Sequence, residues 1–155
     1  MEKLGYDPLP RYKEPPQTGE EYPLILITGG RILQYYHSQQ RQVTQLRRRH
    51  PDPIVQINPK TASKLGIADG DWVWIKTPTG KVSQKCQYFE GITPGVVHAE
   101  HGWWFPEEPE EEPSLYGLWR SNINVVISDA PEYWDEVTGG WALRALNCRV
   151  QKVEV

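Results

Sequence analysis

Leu24-Ile25-Leu26-Ile27-Thr28-Gly29-Gly30-Arg31 is an apolar run that stops at two glycines and an arginine. The run has the length and composition of a buried strand. The glycines let the backbone turn sharply and bring its N–H groups close to a ligand. The arginine adds a planar, permanently charged fork of donors. Tyr36-His37-Ser38 follows, and then a polar, basic stretch over residues 39–50 with helical character. Strand, glycine turn and helix in that order are one chemical solution to holding a phosphate, because a helix start adds its own partial positive charge. The spacing matches neither G-x-x-x-x-G-K-[ST] nor G-x-G-x-x-G, so neither of those loops is implied.

Working outward, Ser38 is placed to cap a helix over residues 39–49 that Pro51 stops. Ile54-Val55-Gln56-Ile57 reads as a short strand. Asn58-Pro59 opens a second helix, with Asn at the cap and Pro at the first helical position, and Gly66 closes it. Trp72-Val73-Trp74-Ile75-Lys76-Thr77 alternates as a strand, Pro78-Thr79-Gly80 turns, and residues 81–89 return as its partner. Val96-Val97-His98-Ala99 is a further strand. Asn122-Ile123-Asn124-Val125-Val126-Ile127 alternates and then becomes apolar, and a last strand runs through Cys148-Arg149-Val150-Gln151-Lys152-Val153. The sum is six or seven short strands and two short helices, a β-barrel or a compact β-rich α+β domain. Residues 107–113 read as a solvated acidic loop and 129–140 as another loop. The proline-rich residues 1–23 read as an arm or a linker from a preceding domain, with the barrel domain over 24–155.

Composition narrows the function. A chain of 155 residues suits one domain, and a net charge of −3 argues against a general nucleic-acid binder, although Arg41 and Arg47-Arg48-Arg49 form a local basic cluster. Fourteen prolines, thirteen glycines and seven tryptophans suit a turn-rich β protein. No apolar run approaches the roughly 20 residues that cross a bilayer, so direct membrane insertion is not expected. A secretory signal is not expected ahead of the domain. Cys86 and Cys148 lack C-x-x-C spacing and read as buried free thiols.

His98, Glu100 and His101 invite a metal reading, yet on an extended chain His101 points away from the other two, and no third-ligand pattern supports them. Neither a Ser-His-Asp nor a Cys-His arrangement declares itself, so no catalytic residue is assigned. The remaining polar and aromatic residues suit a ligand with phosphates and a flat heterocycle. Asn122, Asn124 and Asp129 could read a purine edge, a carboxylate being the natural partner of guanine N1–H and N2–H₂. Trp103 and Trp104 offer stacking surfaces worth about 1–3 kcal/mol per base. Core packing is the competing reading for the tryptophans, and turn capping for the two asparagines.

The order Leu-Ile-Thr-Gly-Gly-Arg, Tyr36-His37-Ser38, Ile57-Asn58-Pro59, Leu65-Gly66-Ile67, Gly70-Asp71-Trp72-Val73 and Thr93-Pro94-Gly95-Val96-Val97 closely resembles one family across nearly the whole chain. It is similar to the C-terminal, molybdopterin-dinucleotide-binding domain of the dimethyl sulfoxide reductase superfamily. His101-Gly102-Trp103-Trp104-Phe105-Pro106-Glu107 and Trp119-Arg120-Ser121-Asn122-Ile123-Asn124-Val125 resemble the branch of thiosulfate and polysulfide reductases, arsenate-type reductases, transhydroxylase and acetylene hydratase. The resemblance implies a six-stranded double-psi β-barrel with short flanking helices. It also implies a bis(molybdopterin guanine dinucleotide) cofactor carrying molybdenum or tungsten. Carried over by position, Thr28, Gly29, Gly30 and Arg31 would embrace phosphates or pterin, with His37 and Ser38 close by. His101, Gly102, Trp103, Trp104 and Asn122 would line the other side, and Arg144 would contact pterin. Two departures stand out: the family often has one glycine before its arginine, and Tyr35 stands where a histidine is common.

The metal's protein ligand lies in an earlier domain in this superfamily, and an iron–sulfur cluster needs about four grouped cysteines. The resemblance therefore implies a domain of a larger oxidoreductase subunit, inactive alone, whose partners are the preceding domains and an iron–sulfur electron-transfer subunit. Any twin-arginine export signal would belong to that larger protein's N-terminus. Two alternatives use the same barrel: a non-enzymatic interaction module built on Trp103, Trp104 and Trp119, and the small subunit of a tungsten formylmethanofuran dehydrogenase.

Overall fold

The computed structural model describes residues 3, 5–9, 12, 19–141 and 143–154. Six strands close into a barrel: β1 (Leu24–Thr28), β2 (Ile54–Ile57), β3 (Trp72–Lys76), β4 (Lys81–Tyr88), β5 (Val96–Ala99) and β6 (Arg144–Lys152), in the order β1-β5-β2-β4-β3-β6. Two pairs are parallel, β1 with β5 and β2 with β4, and the other four are antiparallel. Pro10, Arg11, Pro15 and Pro16 of the expected arm lie outside the described residues.

Period-two alternation fills the barrel. Leu24, Leu26, Val55, Ile57, Val73, Ile75, Val82, Val97, Leu146, Cys148 and Val150 point inward and are buried, while their neighbours along each strand are more open. The short helix α2 (Pro59–Lys64) caps one end with Ala62, and Ile67 just beyond it joins the same core. Asn58 Oδ1 accepts the Lys60 N–H, and Gly66 leaves the helix at a φ of +66°, as Asn-Pro and Gly at those positions demand. The hairpin β3–β4 pairs Lys76 with Lys81 across the Pro78-Thr79-Gly80 turn.

Two local expectations fail. The helix α1 covers only Thr44–Arg49, with Val43 rather than Ser38 before it. His37 and Gln40 have φ values of +52° and +70°, which no helix accommodates, and Arg41 is drawn into the protein instead of lying on a helix surface. Residues 122–127 do not extend the sheet either. Ile123–Val126 form a 3-10 helix, with Asn122 Oδ1 accepting the Asn124 N–H. Ile123 and Val126 drop into the barrel as a plug.

The register gathers the loops. Parallel pairing places the end of β1 beside the end of β5, and antiparallel pairing brings the starts of β2 and β6 to the same place. The 29–38 turn, the long 100–122 loop, the 3-10 plug and the segment before β6 therefore crowd one end of the barrel.

Cys86 and Cys148 are buried free thiols, and burial pushes each up to about 12 from an ordinary value of 9.0, with Asp69 and Asp71 adding to the effect at Cys86. Their contribution to stability is whole below pH 9, and it is lost as pH rises toward 12, because only the unfolded thiols ionise in that window. Urea titrations between pH 9 and 11 are expected to show stability falling by about 1.4 kcal/mol per pH unit for each thiol. That share of the slope disappears when Cys86→Ala and Cys148→Ala are combined. Native protein should not react with a thiol reagent at pH 8.

Candidate functional site

A cleft of about 420 Å³ opens at this end, lined by His37, Ser38, His101, Gly102, Trp104, Tyr116, Asn122 and Asn124 among others. Its floor is built by close approach. Gly102 sits at a φ of +64° with Ser38 Cβ 3.1 Å from where a side chain would begin, so the 29–38 and 100–122 loops touch there without room for a larger residue. The Trp104 indole N–H donates to the Ser38 carbonyl, and its ring meets Tyr116 edge-on at 5.4 Å.

Along one wall the hydrogen bonds run in a single direction. Arg31 Nη1 can only donate, and it lies 3.3 Å from His37 Nε2. His37 Nδ1–H then donates to His101 Nε2 at 3.4 Å, and His101 Nδ1–H donates to the Gly30 carbonyl at 3.2 Å. The network thus assigns both histidines as neutral Nδ1–H tautomers with Arg31 supplying the charge. This wall suits an anion.

The placement of the expected residues is mixed. His37, Ser38, His101, Gly102, Trp104 and Asn122 share the cleft, and Arg31 reaches it through His37. Thr28 is buried at the end of β1, its hydroxyl donating to the Leu143 carbonyl at 2.8 Å, so it ties the turn to the segment before β6. The Gly30 N–H is not open to a ligand, since it donates to His98 Nε2 at 3.1 Å. Gly29, exposed at a φ of +86°, makes the turn. Trp103 is 0% exposed and packs with Ile32, Tyr35 and Phe105, so core packing is its role and base stacking is not. Asn122 Oδ1 caps the 3-10 helix, leaving its NH₂ group as a donor for phosphate or carbonyl oxygen. Asp129 is outside the cleft lining. Arg144 opens β6 opposite Ile27, where the ladder bulges and Ala145 takes a φ of +60°, and it stands close enough to His98 to oppose that ring's protonation. Among the described residues no group of histidine, cysteine or carboxylate side chains could hold a metal ion.

Three supporting residues were not singled out as site residues in the sequence. Gln84, fully buried on β4, donates to the carbonyls of Glu100 and Ser121 at 2.9 and 3.1 Å and accepts the Glu100 N–H at 3.2 Å. It joins the two ends of the 100–122 loop. Arg41, also fully buried, lies 4.4 Å from the Trp103 ring and 4.6 Å from Tyr35 and donates to the His101 carbonyl at 3.3 Å. Burial lowers its pKa to about 10, which leaves it charged at neutral pH. Tyr35, the departure from histidine, donates its hydroxyl to the His50 carbonyl at 2.7 Å and so belongs to the same aromatic cluster. A buried glutamine on a strand and an arginine in a basic run carry no distinguishing mark in sequence. The acidic loop is also less free than expected, since Arg47 pairs with Glu107 at 2.7 Å and Arg120 with Glu108 at 3.0 Å.

Residues 24–145 match the profile of the molydopterin dinucleotide binding domain. The chain belongs to that family. It is 39% identical over 150 residues to dopamine dehydroxylase of Eggerthella lenta, covering 93% of this chain and 14% of that protein. It is 38% identical over 137 residues to acetylene hydratase of Syntrophotalea acetylenica, covering 83% of this chain and 19% of that one. The solved acetylene hydratase from Pelobacter acetylenicus superimposes with a TM-score of 0.93 at 35% identity, over 98% of this chain and 22% of that structure. The chain thus spans 14 to 22% of the length of these relatives.

In this dinucleotide-binding domain, Gln84 carries the rim. Gln84→Leu keeps the volume but strands two carbonyls, the Glu100 N–H keeping the Ile54 carbonyl at 3.1 Å, and is expected to cost roughly 3 kcal/mol in urea denaturation. Amide exchange should quicken in the 100–122 loop before it quickens in the strands.

Proposed function

We propose that this chain holds the guanine-nucleotide end of a bis(molybdopterin guanine dinucleotide) cofactor carrying molybdenum or tungsten. The observation that carries the proposal is the composition of one cleft: a cationic Arg31–His37–His101 wall, an aromatic Trp104–Tyr116 wall and the Asn122 amide between them. Each wall meets a different part of such a ligand. The guanidinium and the exposed Gly29 turn suit a diphosphate, for which one charge-assisted hydrogen bond is worth about 1.5–3 kcal/mol. The half-buried Trp104 ring suits a base, and the Asn122 NH₂ suits a carbonyl or phosphate oxygen. Arg144, which opens β6 opposite Ile27, would serve the pterin side. The cofactor supplies the redox chemistry when bound. The residues of this chain bind and orient it, as the C-terminal domain of a larger oxidoreductase subunit whose other domains, with an iron–sulfur partner, complete the enzyme. The interaction-module alternative loses its basis because Trp103 is in the core, so the three tryptophans do not form one exposed patch.

Titrating guanosine diphosphate into the ¹⁵N-labelled chain tests the reading. Amide shifts are expected at residues 28–38, 101–104 and 122. Shifts confined to the neighbourhood of Trp119, or none, would refute it. Arg31→Ala should weaken binding about tenfold, the loss of one charge-assisted bond, with the urea midpoint unchanged.

A further inference from the structure

Gly30, at the centre of the turn, is held from both sides. Its N–H donates to His98 Nε2 at 3.1 Å, and its carbonyl accepts from His101 Nδ1 at 3.2 Å. Backbone pairing of β1 with β5 ends at Thr28 and Ala99, and two residues beyond Thr28 the two imidazoles take over the link between the segments. The His98 ring occupies the space that a side chain at residue 30 would need. A Cβ there would fall 2.1 Å from Cε1 and 2.2 Å from Nε2. His98 itself is fixed from behind: its Nδ1 is 3.2 Å from Gln56 Oε1, and Gln56 Nε2 donates in turn to Gln87 Oε1 at 3.3 Å. With Gln56 presenting its oxygen, the proton sits on Nδ1 and Nε2 is left as an acceptor.

We propose that His98 is the positioning residue of the nucleotide-binding turn: held by Gln56 as the Nδ1–H tautomer, it takes the Gly30 N–H and so sets the turn that delivers Arg31 to the cleft. This rests on the nucleotide reading above. His98 does not touch the ligand, since its accepting nitrogen is filled by Gly30. The second glycine of the turn then has a physical cause, because only a residue without a side chain lets the ring lie against the peptide.

The latch depends on pH. Protonating Nε2 turns the acceptor into a donor facing the Gly30 N–H, and the bond is lost. The groups facing the ring are Glu100 on its own strand, which favours the cation, and His101 and Arg144, which oppose it; Gln56 from β2 and the Gly30 amide carry no net charge. Burial, the largest influence, holds His98 below the ordinary value of 6.5. The folded protein therefore binds this proton less readily than the unfolded chain. The latch is complete above pH 6.5 and opens as pH falls through the lowered value.

The test combines imidazole ¹⁵N spectra, the Gly30 amide resonance and guanosine diphosphate affinity across pH 5–8. Nitrogen shifts should show Nδ1 protonated and Nε2 bare, and the Gly30 amide should move with the His98 titration. His98→Phe keeps a ring but removes the acceptor, and is expected to bind about tenfold more weakly at pH 8. His98→Gln, which retains an acceptor, should recover most of that loss. Relative to His98→Gln, wild type should lose affinity below pH 6.5, a comparison that cancels every pH effect the two proteins share. Gly30→Ala should resemble His98→Phe. An Nε2–H tautomer, a Gly30 amide indifferent to His98, or wild-type affinity in His98→Phe would overturn the proposal. Coupling of Gly30 to His98 in a wild-type protein that ignores guanosine diphosphate would refute the nucleotide reading and leave the latch standing.

Discussion

The parallel pairing of β1 with β5 runs from Ile25–Val96 to Thr28–Ala99 and stops where Gly29 swings the chain out of the sheet. Both strands are central to the closed barrel, so their ends cannot shift without breaking ladders on either side. From that shared end the 29–38 turn and the 100–122 loop start side by side. Their proximity is a consequence of register: residues about seventy positions apart in sequence, such as Gly30 and His101, are brought within hydrogen-bonding distance by it.

What keeps those loops in place is a layer of buried and half-buried polar side chains beneath them. Gln84 satisfies the backbone of Glu100 and Ser121, Arg41 holds the His101 carbonyl from between two aromatic rings, and His98 holds the Gly30 amide. Loops leave backbone groups that water normally satisfies. Here the protein supplies the partners itself, which costs desolvation but fixes geometry. Arg41 shows how far this goes. Its cation is fully buried, and among the described residues its neighbours are two π faces and a carbonyl.

The strands were legible in sequence wherever alternation and turn chemistry agreed. Trp72-Val73-Trp74-Ile75-Lys76 and its return across Pro78-Thr79-Gly80 are an example, as is the Asn58-Pro59 helix start. Legibility failed where a local signal met a stronger distant partner. Ser38 has the right side chain for a helix cap, but its carbonyl serves Trp104 and its backbone lies against Gly102, so the helix begins six residues later at Thr44. Residues 122–127 have a strand's alternation, yet the barrel's open end needed a plug, and Ile123 and Val126 supply it from a 3-10 helix. Adjacent tryptophans look alike in sequence. Trp103 went to the core and Trp104 to the cleft because one faces Tyr35 and Phe105 and the other faces Ser38 and Tyr116.

The chain by itself determined the β-rich class, the glycine turn after β1 and a set of residues with anion-binding and stacking chemistry, because periodicity, turn preference and side-chain chemistry are local properties. Tertiary structure alone decided which of those groups remain free. Thr28 and the Gly30 amide are engaged by Leu143 and His98, while Arg31, Trp104 and the Asn122 NH₂ are left at the cleft. Hydrogen-bonding capacity belongs to a residue, but its availability belongs to the neighbours that barrel closure brings alongside.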